Sequence, residues 1–126
     1  MSELGVLPLG KLHREIVEQW TLETEGNLDI VVTGKQRQHY IARHPEMAEL
    51  ERHLQETVLD PECVHGNRSD HSVAIFYRRL SDRQFLRVAV LMQATPGLRK
   101  HSVMSYRLAA VREVEKNVER CRWKRI

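Results

Sequence analysis

The spacing of apolar residues changes twice along the chain, and each change predicts a new kind of element. Asp29-Ile30-Val31-Val32 is a short β-branched run followed by Thr33-Gly34. That order predicts a strand whose threonine caps the helix after it. The helix is expected to begin near Lys35 and to stop or kink at His44, because Pro45 disfavours helical geometry in the residue before it. A second helix is expected over 45 to 57. Met47, Leu50, Leu54 and Val58 recur there at helical spacing, Pro45 suits a first turn, and Glu46 and Glu49 favour an N-terminus. Asp60-Pro61 ends it.

From Cys63 onward the period shortens. Gly66-Asn67 and Ser81-Asp82 are turn signals, and residues 72 to 80, 85 to 92 and 99 to 108 alternate as strands, with Pro96-Gly97 between the last two. Strands joined by short turns imply an antiparallel meander. Residues 109 to 122 carry Val111, Val114 and Val118 at spacings that predict an amphipathic helix. A basic cluster of Arg120, Arg122, Lys124 and Arg125 around Trp123 follows. The opening stretch through Leu9 and Gly10 reads as irregular, and 16 to 28 fits a strand pair or a helix equally. The expected fold is α+β, with the N-terminal helices packed on one face of a small antiparallel sheet and a C-terminal helix after it. At 126 residues the chain is one domain.

Alternation also sorts the strand residues by face. Ala74, Phe76, Leu80, Leu86, Val88, Val90, Met92, Met104 and Leu108 form the set expected under the helices. Tyr77, Arg79, Arg87, Ser105 and Arg107 fall on the opposite set, together with Val73, Ile75, Ala89, Leu91 and Val103. That second face is open and cationic, or else covered by the N-terminal segment or the C-terminal helix.

Charge sharpens this reading. The net charge of +3 hides an uneven distribution: residues 1 to 62 hold 6 Lys/Arg against 12 Asp/Glu, and residues 63 to 126 hold 14 against 5. A basic half of this kind suits a polyanion, and nucleic acid is the expected partner. Cys63 and Cys121 lack the spacing of a disulfide framework or a zinc cluster, so Cys63 is expected as a packed thiol and the compartment as a reducing cytoplasm. No window has the apolar length of a signal-peptide core or a membrane span.

The densest chemistry lies between Gln36 and Glu46, where His39, His44, Arg37 and Arg43 share one helical segment. His39 and His44 are five apart, unlike helical metal pairs at three or four, so no metal or other cofactor is expected. His39 and Arg43 are four apart and so neighbours on a helix face, where imidazole and guanidinium can converge on one phosphodiester. Metal-free RNA cleavage needs little more, because the ribose supplies its own nucleophile and the protein only moves protons and holds the phosphate.

His39-x-x-x-Arg43-His44-Pro45-Glu46, the Leu59-Asp60-Pro61 turn, the strand with Tyr77 and Arg79, and Ser105-Tyr106 together resemble the phage-associated barnase/EndoU/colicin/RelE-like nucleases. The resemblance covers about 29 to 108, with 109 to 126 as a C-terminal helix and basic tail, and implies a metal-independent endoribonuclease, often a toxin with an antitoxin or immunity protein. It also implies His39, Arg43, His44 and Ser105 as the catalytic set. RNA contacts are expected from Arg37, Tyr77, Arg79, Arg87, Arg107, Arg122 and Lys124. A noncatalytic nucleic-acid or protein-binding module on the same fold is the alternative.

Overall fold

The computed structural model describes residues 6 to 20, 28 to 43, 45, 47 to 92 and 100 to 124, without the side chains of 47, 48 and 122 to 124. In chain order these form β1 (Leu7–Lys11), α1 (Arg14–Val17), β2 (Asp29–Val32), α2 (Gly34–Arg43), α3 (Met47–Leu59) and β3 (Cys63–Gly66). Then come β4 (Val73–Arg79), β5 (Gln84–Leu91), β6 (His101–Ala110), α4 (Val111–Asn117), a 3-10 turn (Val118–Arg120) and β7 (Cys121–Lys124). The fold is α+β, as expected. The sheet is larger than expected, with seven strands in the order β1-β2-β6-β5-β4-β3-β7. It is also mixed, because β2 runs parallel to β6 while every other neighbouring pair is antiparallel.

Helices α2 and α3 follow the sequence cues closely. Thr33 Oγ1 accepts the Gln36 N–H at 3.2 Å, which satisfies one of the donors a helix leaves open at its start. Leu54 and Val58 on α3 are fully buried and Leu50 is partly buried against the same core. Met47, whose side chain lies outside the described part, completes the expected stripe in sequence only. Burial of Leu54 and Val58 contributes about 2 to 3 kcal/mol each. Pro45 lies in a turn between α2 and α3, while His44 and Glu46 lie outside the described residues.

Each face of the sheet has its own core. One face buries Ile30, Val32, Val64, Ala74, Phe76, Leu86, Val88 and Val90 under α1 and α3. The other gathers Cys63, Val73, Ile75, Tyr77, Phe85, Ala89 and Ala109 under Val114 of α4. The expected parity holds through β4 and β5 and in β6 from Ser105 onward, and fails before Ser105. Ala89 pairs with Ser105, but Val90 pairs with Val103, so Met104 is an extra residue in the ladder. This bulge turns Val103 into the helix-side core and leaves Met104 40% exposed, against the expectation for both. Leu108, also expected under the helices, is 39% exposed.

Three further expectations are corrected. The opening stretch is not irregular over residues 7 to 11: β1 pairs with β2, and Gly10 within it has φ +123°, a left-handed conformation that suits glycine. A Cβ there would also meet Leu59 Cδ1 at 3.0 Å, so glycine lets α3 approach β1 closely. The C-terminal helix ends at Asn117, and the basic segment after it is a strand paired with β3. That pairing brings Cys121 and Cys63, 58 positions apart in sequence, to a Cα separation of 5.8 Å in a disulfide. Cys63 is thus bonded and not a free packed thiol, and the cysteines no longer argue for a reducing compartment. Among the described residues no helix is long and apolar enough to cross a membrane.

Candidate functional site

Strand register builds a row of polar side chains on the face opposite α2 and α3. Tyr77 of β4 pairs with Arg87 of β5, and Arg87 pairs with Arg107 of β6, so three residues share one rung and one face. Two guanidiniums placed directly opposite each other repel. Glu113 of α4 relieves the repulsion. Arg107 Nη2 donates to its two carboxylate oxygens at 2.9 and 3.2 Å, Arg87 Nε lies 3.8 Å from Oε2, and the Tyr77 hydroxyl donates to Oε2 at 3.4 Å.

These residues line a cavity of about 330 Å³, within the usual size range of small-ligand sites. Its remaining wall adds two guanidiniums, Arg68 after β3 and Arg120 of the 3-10 turn, to His65, Asn67, Ile75 and Asn117. Arg120 is held in place by donating to Gly66 O and Asn117 Oδ1, both at 3.0 Å. Four guanidiniums and a single carboxylate therefore line the cavity.

His65 lies at the cavity's inner edge, 4% exposed. Its Nδ1 is 2.8 Å from Gly66 O. A carbonyl only accepts, so Nδ1 carries the proton and Nε2 of the neutral ring presents a lone pair. That lone pair faces the Tyr77 hydroxyl at 3.3 Å. Tyr77 thus has one proton and two acceptors, His65 Nε2 and Glu113. Burial holds the His65 pKa below its ordinary value; the charges of Arg120 and Arg87 push the same way, while the Gly66 bond and Glu113 oppose them. Burial likewise raises the Tyr77 pKa, aided by the charge of Glu113. The result is an uncharged imidazole beside a cationic hollow, a pairing suited to accepting a proton near a bound anion.

The expected catalytic residues do not assemble. His39 and Arg43 are exposed on α2, and α2 packs on the helix-side face: Tyr40 lies against Tyr106 with ring centroids 4.8 Å apart. Ser105 pairs with Ala89 and so belongs to the opposite face. The sheet itself stands between the helix pair and the serine. A strand's two sides cannot share a phosphate, and adjacent residues 105 and 106 point apart. His44 lies outside the described residues.

Of the expected RNA contacts, Tyr77, Arg87 and Arg107 come together in the cavity. Arg79 shares their face but is stacked over Phe85 at 4.7 Å and donates to the carbonyls of Ser81 and Asp82. Arg37 is committed to Glu51 of α3, through Nε at 2.8 Å and Nη2 at 2.7 Å. It lines a larger hollow of about 490 Å³ beside β1, whose charged groups include this already paired couple. Arg122 and Lys124 belong to β7, and their side chains lie outside the described part. Among the described residues no group of three His, Cys, Asp or Glu side chains is placed to hold a metal ion.

His65, Glu113 and Arg68 escaped the sequence reading, while Arg120 of the expected basic cluster proves to line the cavity. Cys63-Val64-His65-Gly66 is too short to announce a strand by periodicity, although its alternation puts Cys63 and His65 on the Tyr77 side once β3 is paired with β4. No protein family, curated protein or solved structure matches the chain.

Proposed function

We propose that the protein is a metal-independent endoribonuclease whose phosphodiester site is the cavity on the sheet face opposite α2 and α3. The supporting observation is the rung Tyr77–Arg87–Arg107 beside an uncharged, inward-facing His65. In this reading Arg87, Arg107 and Arg120 hold the phosphate and offset the charge that grows on it as the ribose 2′-hydroxyl attacks. His65 Nε2 takes the 2′-hydroxyl proton, directly or across Tyr77, and the imidazolium returns a proton to the departing 5′-oxygen. Neither step calls for a metal. The resemblance to metal-independent nucleases supports the reaction class, while the geometry favours the sheet over the helix as its location.

A noncatalytic RNA-binding module is the second reading, favoured by one observation. His65 and Tyr77 are only 4% and 1% exposed, which suits structural support of the arginines as well as proton transfer. A single comparison separates the two: purified wild type, His65→Ala, Arg87→Ala and His39→Ala, each incubated with single-stranded RNA in EDTA. The nuclease reading expects cleavage by wild type and His39→Ala, and a loss of about 10²-fold or more in His65→Ala. Loss in His39→Ala alone would move the site to α2. Salt-sensitive binding without cleavage would leave the module, and neither binding nor cleavage would sink both. Co-expression toxicity, abolished by His65→Ala, would add the toxin role that the resemblance implies.

A further inference from the structure

Glu113 steadies the rung by relieving the repulsion of Arg87 and Arg107, and the same geometry marks where an anion fits. The carboxylate meets Arg107 with both oxygens, and Arg87 and Tyr77 with Oε2. Donors from three adjacent strands thus converge on one anionic group. Guanidinium binds carboxylate and phosphate with the same forked geometry, so an arrangement that fits one fits the other. The ladder sets Arg87 and Arg107 opposite each other, and an anion between them is what makes that placement tolerable.

Glu113 is also built to leave. Its side chain is 33% exposed, and its Arg107 partner is 50% exposed. It belongs to the seven-residue helix α4, which buries Val114 on the sheet, so the glutamate can rotate outward while the helix stays docked. We propose that the Glu113 carboxylate occupies the subsite of the ligand's phosphate, and that a phosphodiester binds by displacing it from Arg87 and Arg107. Glu113 is then an internal competitor, which lowers affinity for any phosphate ligand and disfavours weakly charged ones.

This rests on the phosphate-site reading above, and the test separates the two. The full chain, Glu113→Gln and Glu115→Gln are titrated with inorganic phosphate and with a single-stranded RNA oligonucleotide, following backbone and arginine side-chain NMR signals. Glu115 is exposed on the same helix, so its variant makes the same change in net charge away from the cavity. Glu113→Gln should bind both probes about three- to tenfold more tightly than wild type, while Glu115→Gln changes affinity by less than about twofold. Tighter phosphate binding with no RNA binding keeps the subsite and discards the RNA reading. RNA binding that Glu113→Gln leaves unchanged or weakens overturns the subsite and keeps the RNA reading. Equal gains in both variants, or no phosphate binding by any protein, overturn the subsite as well. If Glu113→Gln melts early, Glu113→Ala replaces it, with the same order expected.

Discussion

A histidine with Nδ1 tied to a carbonyl and Nε2 turned toward a hydroxyl has its tautomer fixed by its surroundings, and burial does the rest by disfavouring the charged ring. This has a consequence for folding. The unfolded chain takes up the His65 proton at pH near 6.5, whereas the folded chain takes it up only at lower pH. Between those values the unfolded state binds more protons, so the contribution of His65 to stability is complete above about 6.5 and declines as pH falls below it. Urea midpoints at pH 7.5 and pH 5 should therefore differ more for wild type than for His65→Gln. An equal difference in the two proteins would show that His65 is not held neutral. The partners of this residue divide by how legible they were. Tyr77, Arg87 and Arg107 followed from strand parity alone, because β4, β5 and the part of β6 after its bulge are long enough to show it. Glu113 could not, because its role depends on where α4 lands.

Element length explains most of what the chain hid and showed. The 13 residues of α3 and the 7 and 8 of β4 and β5 repeat their periods often enough to be read. β1, β3 and β7 have 5, 4 and 4 residues, and pairing with partners far along the chain makes them strands. The basic tail shows the difference most clearly. Its valines suggested one helix to 122, but α4 stops at Asn117, the next turn tightens to 3-10, and Val118 is left 42% exposed. What holds β7 at the sheet edge is its ladder to β3 and the bond from Cys63 to Cys121. Closing a loop over a sequence separation of 58 restricts the unfolded chain, a stabilisation of about 2 to 4 kcal/mol. The Cys63→Ala/Cys121→Ala variant should lose that amount in chemical denaturation, and wild type in excess dithiol should lose as much. A stability indifferent to reductant would mean that the ladder alone secures β7. Because Arg120 immediately precedes Cys121, the same bond fixes one wall of the cavity.

For the whole molecule, the uneven charge along the chain becomes an uneven charge across the sheet. The acidic half supplies β1, α1, β2, α2 and α3, whose helices bury one face; the basic half supplies the rungs of the other. That is why the excess of cations in the second half could be read from the sequence while the arrangement of a site could not: charge counts survive folding, and the convergence of His39, Arg43 and Ser105 required a face they do not share. If the cationic hollow is where RNA docks, affinity should fall steeply with salt, because each phosphate held there releases counterions. The logarithmic slope is about −0.7 per phosphate neutralised for a single strand. Arg87→Gln, Arg107→Gln and Arg120→Gln should each weaken binding and flatten the slope by about that amount for every phosphate the variant no longer neutralises. Arg79→Gln serves as the reference, because its guanidinium is engaged with Phe85 and the turn carbonyls of Ser81 and Asp82. Fluorescence anisotropy of a labelled oligonucleotide between about 50 and about 300 mM salt reads affinity and slope together. If Arg79→Gln flattens the slope as much as Arg87→Gln does, RNA is following general surface charge, and the cavity loses its claim to be the binding site.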